Sequence, residues 1–372
     1  MKFRKFFVGI LCLLALSVTF TACSDDDDVK GNEMNDAGSK VELPNRRGYI
    51  LYEGMFVPGE ATNDTGISFY APNKDAEGIP DIFSLQNGKQ LGNLGQSIIE
   101  KNDFIYVALS TSSNVIKMNE ACVEVGRCDF PKGNDPRFMV EKDGFLYVTH
   151  YGGKVSKIDT QSMKVMNTLQ IPGGQQMEGI AECNGKLYVA NAYTTDFKYL
   201  KDVFVINPQS MTLEKTIQVA DNPKTIIEEE DNLFVLSLGN YNDVKGQLQV
   251  IDPHTDNVTS ICPAGFIAKG NHDRIFIVNV EYDSNWAPAN KLSFYDAKAK
   301  QWNQQSFLNN APDEILSGNI YMIAVDDDTD EIYVGVTDNE NAGTIYRFDS
   351  TGNFKEQFSA GGVNPNSMVF VD

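Results

Sequence analysis

From residue 95 onward, short apolar runs with an aromatic at their centre recur between polar stretches. They read FIYVAL (104–109), FLYVTH (145–150), KLYVAN (186–191), NLFVLS (232–237), RIFIVN (274–279) and EIYVGV (331–336). The central residues Tyr106, Tyr147, Tyr188, Phe234, Phe276 and Tyr333 are spaced by 41, 41, 46, 42 and 57 positions, a period with insertions in two units. Runs this short, rich in aromatic and β-branched residues, predict strands. Before each lies a second apolar run closed by a tight polar turn: SIIEKND, RFMVEKDG, GIAECNG, TIIEEEDN, FIAKGNHD and MIAVDDDTD. A third strand follows, as in KVSKIDTQSMK, VFVINPQSMT, LQVIDPHTDN, LSFYDAKAK and TIYRFDSTGN, and then a fourth, as in VMNTLQIP and LEKTIQVA. Four strands joined by short turns and repeated every forty-odd residues predict the blades of a β-propeller.

The ends of the pattern predict its closure. RGYILYEG (47–54) supplies a seventh strand of the second type, with either Tyr49 or Tyr52 as its anchor, and no strand of the first type precedes it. The chain finishes in NSMVFVD (366–372), which matches RFMVEK and has no partner after it. Pairing that strand with the N-terminal three completes a seventh blade and removes exposed sheet edges. The expectation is an all-β, seven-bladed propeller of four-stranded blades over residues 43–372.

The N-terminus reads differently. Lys2, Arg4 and Lys5 precede FFVGILCLLALSVTF (6–20), too short for a stable span, so residues 1–22 read as a signal peptide. Ala22 before Cys23 resembles the lipobox of bacterial lipoproteins, which implies lipidation of Cys23. The alternative, an ordinary cleaved signal, leaves an exposed thiol in an oxidising compartment. Asp25 to Asp28 resemble the acidic export signal of surface lipoproteins, and residues 23–42 carry few apolar side chains, as in a flexible tether. The resemblance implies the outer membrane, on its extracellular face, with the periplasmic face as the alternative. Formal charge is −20, and loss of residues 1–22 removes three basic side chains, giving 28 minus 51, or −23. Such a surface disfavours nucleic acid.

Catalytic signatures are missing from the sequence: it has no nucleophile elbow, no paired metal-ligand histidines and no P-loop, so it does not read as an enzyme. His254 and His272 fall in the turns DPHTD and GNHD, whereas His150 ends a strand and enters a loop. Asp326, Asp328 and Asp330 alternate like calcium ligands, but Glu331 stands where the loop needs glycine, and a hairpin turn is the better reading. No metal and no required cofactor are expected. Cys122 and Cys128 are close enough in sequence to bridge, yet Cys183 and Cys262 fall in separate blades, so buried free thiols are expected.

Variation gathers in loops that leave the second strands: THYGG (149–153), NAYTTDFKYLKD (191–202), GNYNDVKG (239–246) and VEYDSNWAPAN (280–290). The candidate ligand-binding residues are Arg137, His150, Tyr151, Tyr193, Phe197, Tyr199, Tyr241, Tyr282 and Trp286. Flat rings with polar handles suit a broad, uncharged, hydrogen-bonding ligand. For any single ring, packing within its own loop is the competing account.

The unit LYVTHYGGKVSKIDTQSMKVMNTLQIPG (146–173) resembles the YncE-like seven-bladed propellers. With the lipobox and acidic tether, the resemblance extends to surface lipoproteins of Bacteroidetes and, among them, to BtuG-like corrinoid-capturing proteins. It implies capture of a corrinoid (cobalamin) or similar bulky small molecule, and its transfer to a BtuB-like TonB-dependent outer-membrane transporter. The alternative is a non-enzymatic surface adhesion or interaction propeller that binds protein or glycan.

Overall fold

A computed structural model describes residues 35–57, 62–282 and 287–372. The signal peptide, Cys23 and Asp25 to Asp28 lie outside the described residues. Seven sheets form the blades of the expected propeller. Six contain four antiparallel strands in chain order: blade one (95–129), two (136–170), three (176–218), four (223–263), five (266–303) and six (319–359). The innermost strands are Gly95–Lys101, Pro136–Lys142, Gln176–Cys183, Pro223–Glu229, Phe266–Lys269, Asn319–Asp326 and Pro365–Val371, each beside the next in a closed ring. Two-residue turns join the first two strands of blades one to four. Their residues Asn102 and Asp103, Asp143 and Gly144, Asn184 and Gly185, and Glu230 and Asp231 all have positive φ, the geometry whose twist matches paired strands.

The C-terminal strand closes the ring as expected. Pro365–Val371 pairs antiparallel with Arg47–Tyr52, which pairs with Gly66–Tyr70. The fourth position of this blade is reduced to a two-bond bridge between Phe69 and Ile79. Pro72 and Pro80 flank that stretch and cannot donate to a ladder, and Asp81 then caps the helix Ile82–Asn87 through the Ser84 N–H. The register also identifies the seventh anchor. Tyr49 pairs with Val369 as Tyr106 pairs with Ile99, and its hydroxyl donates to the Glu120 carbonyl at 2.6 Å.

Seven apolar clusters occupy the seven seams between blades, and each anchor packs against the blade that follows its own. Tyr106 meets Leu146 and Val148, Tyr147 meets Val189 and Phe204, Tyr333 meets Ile50 and Met368, and Tyr49 meets Ile105 and Val107. Blade six is latched to the closing blade by Arg347, whose guanidinium donates to the Tyr70 hydroxyl and the Pro72 carbonyl, both at 2.8 Å, while Glu331 holds its other edge. Residues 35–42, the end of the sequence-defined tether, lie against the propeller. There Asp36 takes both terminal nitrogens of the buried Arg47 at 2.5 Å, and Val41 packs on the cluster around Tyr49.

Asp326 ends an inner strand and pairs with Arg46, so the alternating aspartates form a hairpin turn. Cys122, Cys128, Cys183 and Cys262 are buried free thiols, and burial pushes Cys128 up to about 11 and Cys183 and Cys262 to about 12. His150 is fully buried with its ring edge-on to Phe130, 4.6 Å between centroids. Neither ring nitrogen makes a well-formed hydrogen bond, although the Asn134 backbone lies close enough to favour protonation slightly. Burial lowers its pKa from 6.5 to about 4.

Two outcomes follow. Deleting residues 366–372 takes the inner strand from the closing blade and two seams with it, and should lower stability by about 5 kcal/mol or more. A melting temperature equal to that of the intact chain would contradict the closure. The His150 imidazole stays neutral in the fold while the unfolded chain takes up a proton below pH 6.5, so stability falls as pH drops from 6.5 towards 4. Denaturant titrations at pH 7 and pH 5 should show about 2 kcal/mol of this loss in the native chain and its absence in His150→Phe.

Candidate functional site

Antiparallel pairing puts the start of each inner strand beside the end of the second strand: Pro136 faces His150, Gln176 faces Tyr193 and Pro223 faces Ser237. The mouth of the central channel and the variable loops therefore share one end of the propeller. Near the start of six inner strands, Gln96, Arg137, Glu178, Lys224, Tyr321 and Asn366 occupy equivalent positions, each three residues before the partner of its blade's anchor.

Three of them form a charged cluster around one buried carboxylate. The fully buried Glu178 carboxylate accepts from Arg137 Nε at 3.0 Å and from Lys224 Nζ at 2.6 Å, and the Tyr151 hydroxyl donates to it at 3.0 Å. Burial opposes ionisation of Glu178, but the two cations outweigh it and hold the carboxyl below its ordinary range. Burial lowers the pKa of Lys224, and the attraction of Glu178, shared with Arg137, does not restore it. The Arg137 guanidinium lies 4.5 Å from the centroid of the Tyr151 ring, so the donor that the sequence offers to a ligand is already engaged inside the protein. Elsewhere at the mouth Glu53 accepts from Gln96 Nε2 at 2.5 Å and from the Tyr321 hydroxyl.

Above the cluster lies an aromatic ledge spanning blades two to five. The hydroxyls of Tyr151 and Tyr193 meet at 2.8 Å, Phe197 stacks on Tyr193 with centroids 5.8 Å apart, and Tyr199 contacts Tyr241 edge-on at 5.8 Å. Tyr282 lies within electrostatic reach of Tyr241. Phe197, Tyr241 and Tyr282 nevertheless stay 71%, 69% and 60% exposed, which is unusual for such large rings in internal packing. Trp286 lies outside the described residues. His150 belongs to the buried interior and not to this ledge.

Glu53, Gln96, Glu178, Lys224 and Tyr321 escape a reading based on loop aromatics. A signal was present: Gln96, Arg137, Glu178 and Lys224 each stand ten residues before their blade's anchor. Two cavities, of about 440 and 370 Å³, lie at the opposite end, among turn residues such as Asp143 and Gly185 in one case and Asp103 and Asp328 in the other. At that end too, Glu229, Glu230 and Asp273 approach within metal-ligand reach of one another, but Glu229 is already paired with Lys269 at 2.7 Å.

No family model and no curated protein matches the chain. Solved propellers do. The extracellular domain of a one-component system from B. thetaiotaomicron is similar at TM-score 0.55 and 14% identity, over 83% of this chain and 42% of that one. Kuenenia stuttgartiensis hydrazine synthase is similar at TM-score 0.54 and 17% identity, over 67% of this chain and 74% of that one. The Neurospora crassa Pan2 WD40 domain gives TM-score 0.51 and 12% identity, over 70% and 78%. At such identities the likeness shows the fold, and a fold shared by an enzyme and a WD40 domain leaves the activity to the site.

Proposed function

We propose that this chain is a non-enzymatic binding propeller that captures a bulky, ring-containing small molecule, a corrinoid first among them, on the ledge over blades two to five. The observation that carries the reading is the exposure of Phe197, Tyr241 and Tyr282 beside the channel mouth. Rings held by their neighbours yet open to solvent offer stacking area at little ordering cost. The tyrosine hydroxyls of the ledge supply handles for a ligand rich in amides or hydroxyls. Anchored through Cys23 on the extracellular face of the outer membrane, the protein would pass its ligand to a TonB-dependent transporter of the BtuB type. A second reading, adhesion to a protein or glycan, is favoured by the exposure of the ledge rings, which form an open surface.

Titration of the purified protein with cyanocobalamin tests the first reading. Tight binding that Tyr241→Ala or Phe197→Ala weakens by about thirtyfold, the loss expected for an anchor worth 2 kcal/mol, supports corrinoid capture. No binding at micromolar concentration rejects it and leaves the adhesion reading.

The address has its own test. Cys23→Ala should release the protein from membranes, while replacing Asp25 to Asp28 by alanine should keep the anchor and remove surface exposure. Intact cells carrying the aspartate variant would then protect the protein from added protease, and cleavage equal to that of the native protein would dismiss the export reading.

A further inference from the structure

Two cations share one carboxylate at the channel mouth. Glu178 is saturated, since both oxygens accept from Arg137, and Oε1 also accepts from Tyr151 and Lys224. Lys224 is not saturated. An ammonium carries three donors, and Glu178 is the one partner of Lys224 Nζ among the described residues. The Lys224 side chain keeps 30% of its surface open. Burial, with repulsion from Arg137, outweighs the attraction of Glu178 and the more distant Glu53 and lowers the pKa of this lysine. On a chain with net charge −20, a cation with unused donors at the channel mouth is a selective feature, because most of the surface repels anions.

We infer that the channel mouth holds one anionic group of the captured molecule, a phosphate or a carboxylate, on Lys224 beside Arg137. The inference rests on the proposed ligand face and adds its polar end: rings lie on the ledge and a single negative substituent enters the channel. Glu178 then acts as a positioning residue, fixing the direction of both cations. Glu53, held by Gln96 and Tyr321 at the same mouth, repels the entering anion and limits it to one charge centre. Charge-assisted hydrogen bonds from a half-buried ammonium are shorter and stronger than neutral ones, which makes Lys224 the larger contributor.

Inorganic phosphate is the probe, with sodium chloride at matched ionic strength as the reference and acetamide as a neutral acceptor. Calorimetry and thermal melts on the purified protein should show saturable phosphate binding and a raised melting temperature. Lys224→Met should weaken that binding about tenfold or more, Lys224→Arg should retain it, and Glu53→Gln should strengthen it. Lys215→Met, at a surface pair with Asp256, should behave as the native protein. Lys224→Met leaves Glu178 paired with Arg137, and its own melt in chloride reports whether it is folded. Equal melts in phosphate and chloride, undiminished binding in Lys224→Met, or acetamide binding as well as phosphate would each overturn the inference. Failure with phosphate while cyanocobalamin still binds strikes the anion site alone. Phosphate binding without cyanocobalamin binding supports the anion site and rejects the corrinoid.

Discussion

Each blade of this protein stands on an aromatic ring pressed into the blade that follows it. A four-stranded sheet has two apolar faces, and in an open array the last face would meet water. The ring resolves this by giving every face a neighbour, and Tyr49, Tyr106, Tyr147, Tyr188, Phe234, Phe276 and Tyr333 fill the seven seams. Burying one such side chain removes about 150–250 Å² from water, so a seam is defined largely by one residue and the aliphatic groups around it. Polar handles are then satisfied locally, as Tyr147 shows by donating to the Pro208 carbonyl at 3.1 Å.

Closure imposes a second constraint, because the seventh blade draws strands from both ends of the chain. Its two seams are reinforced by buried charge. Arg347 ties blade six to Tyr70 and Pro72, and Arg47, held by Asp36, donates to the Glu120 carbonyl of blade one at 3.0 Å. Breaking such a pair costs about 3–5 kcal/mol, because an uncompensated charge is left inside. Both latches therefore make joining the two ends conditional on correct side-chain geometry. The shortened outer position, with only a bridge at Ile79, is tolerated because the inner strands carry the ring.

The same architecture builds the candidate site. Inner strands start at the end where second strands finish, so a polar residue early in one strand and an aromatic in the neighbouring loop meet without any special motif. Glu178 and Tyr151 belong to different blades and are hydrogen bonded at 3.0 Å. The Glu178 cluster lies at the channel mouth, while Phe197, Tyr241 and Tyr282 remain open above it. Charge below and exposed rings above suit the proposed ligand with two chemically distinct ends.

The propeller was legible in the sequence because a seam needs the same residue in every blade, and repetition makes that need visible. The forty-odd-residue period, the turns at Asn102 and Asp103 or Asn184 and Gly185, and the unpaired C-terminal strand each express a local rule of strand twist or edge burial. The loop aromatics could be read as a group for the same reason. Their partners could not. Sequence separation hides that Arg137, Glu178 and Lys224 share one carboxylate, because hydrogen bonds between blades follow the curvature of the ring and not chain order. His150 shows the limit most directly: its loop-entry position suggests exposure, yet the packing of Phe130 encloses it. The repeating pattern of apolar and turn residues determined that the chain closes into seven blades. Which polar groups lose their water, and hence which charges stand ready at the channel mouth, was decided by the tertiary structure alone, because desolvation depends on what packs around a group from every direction in space.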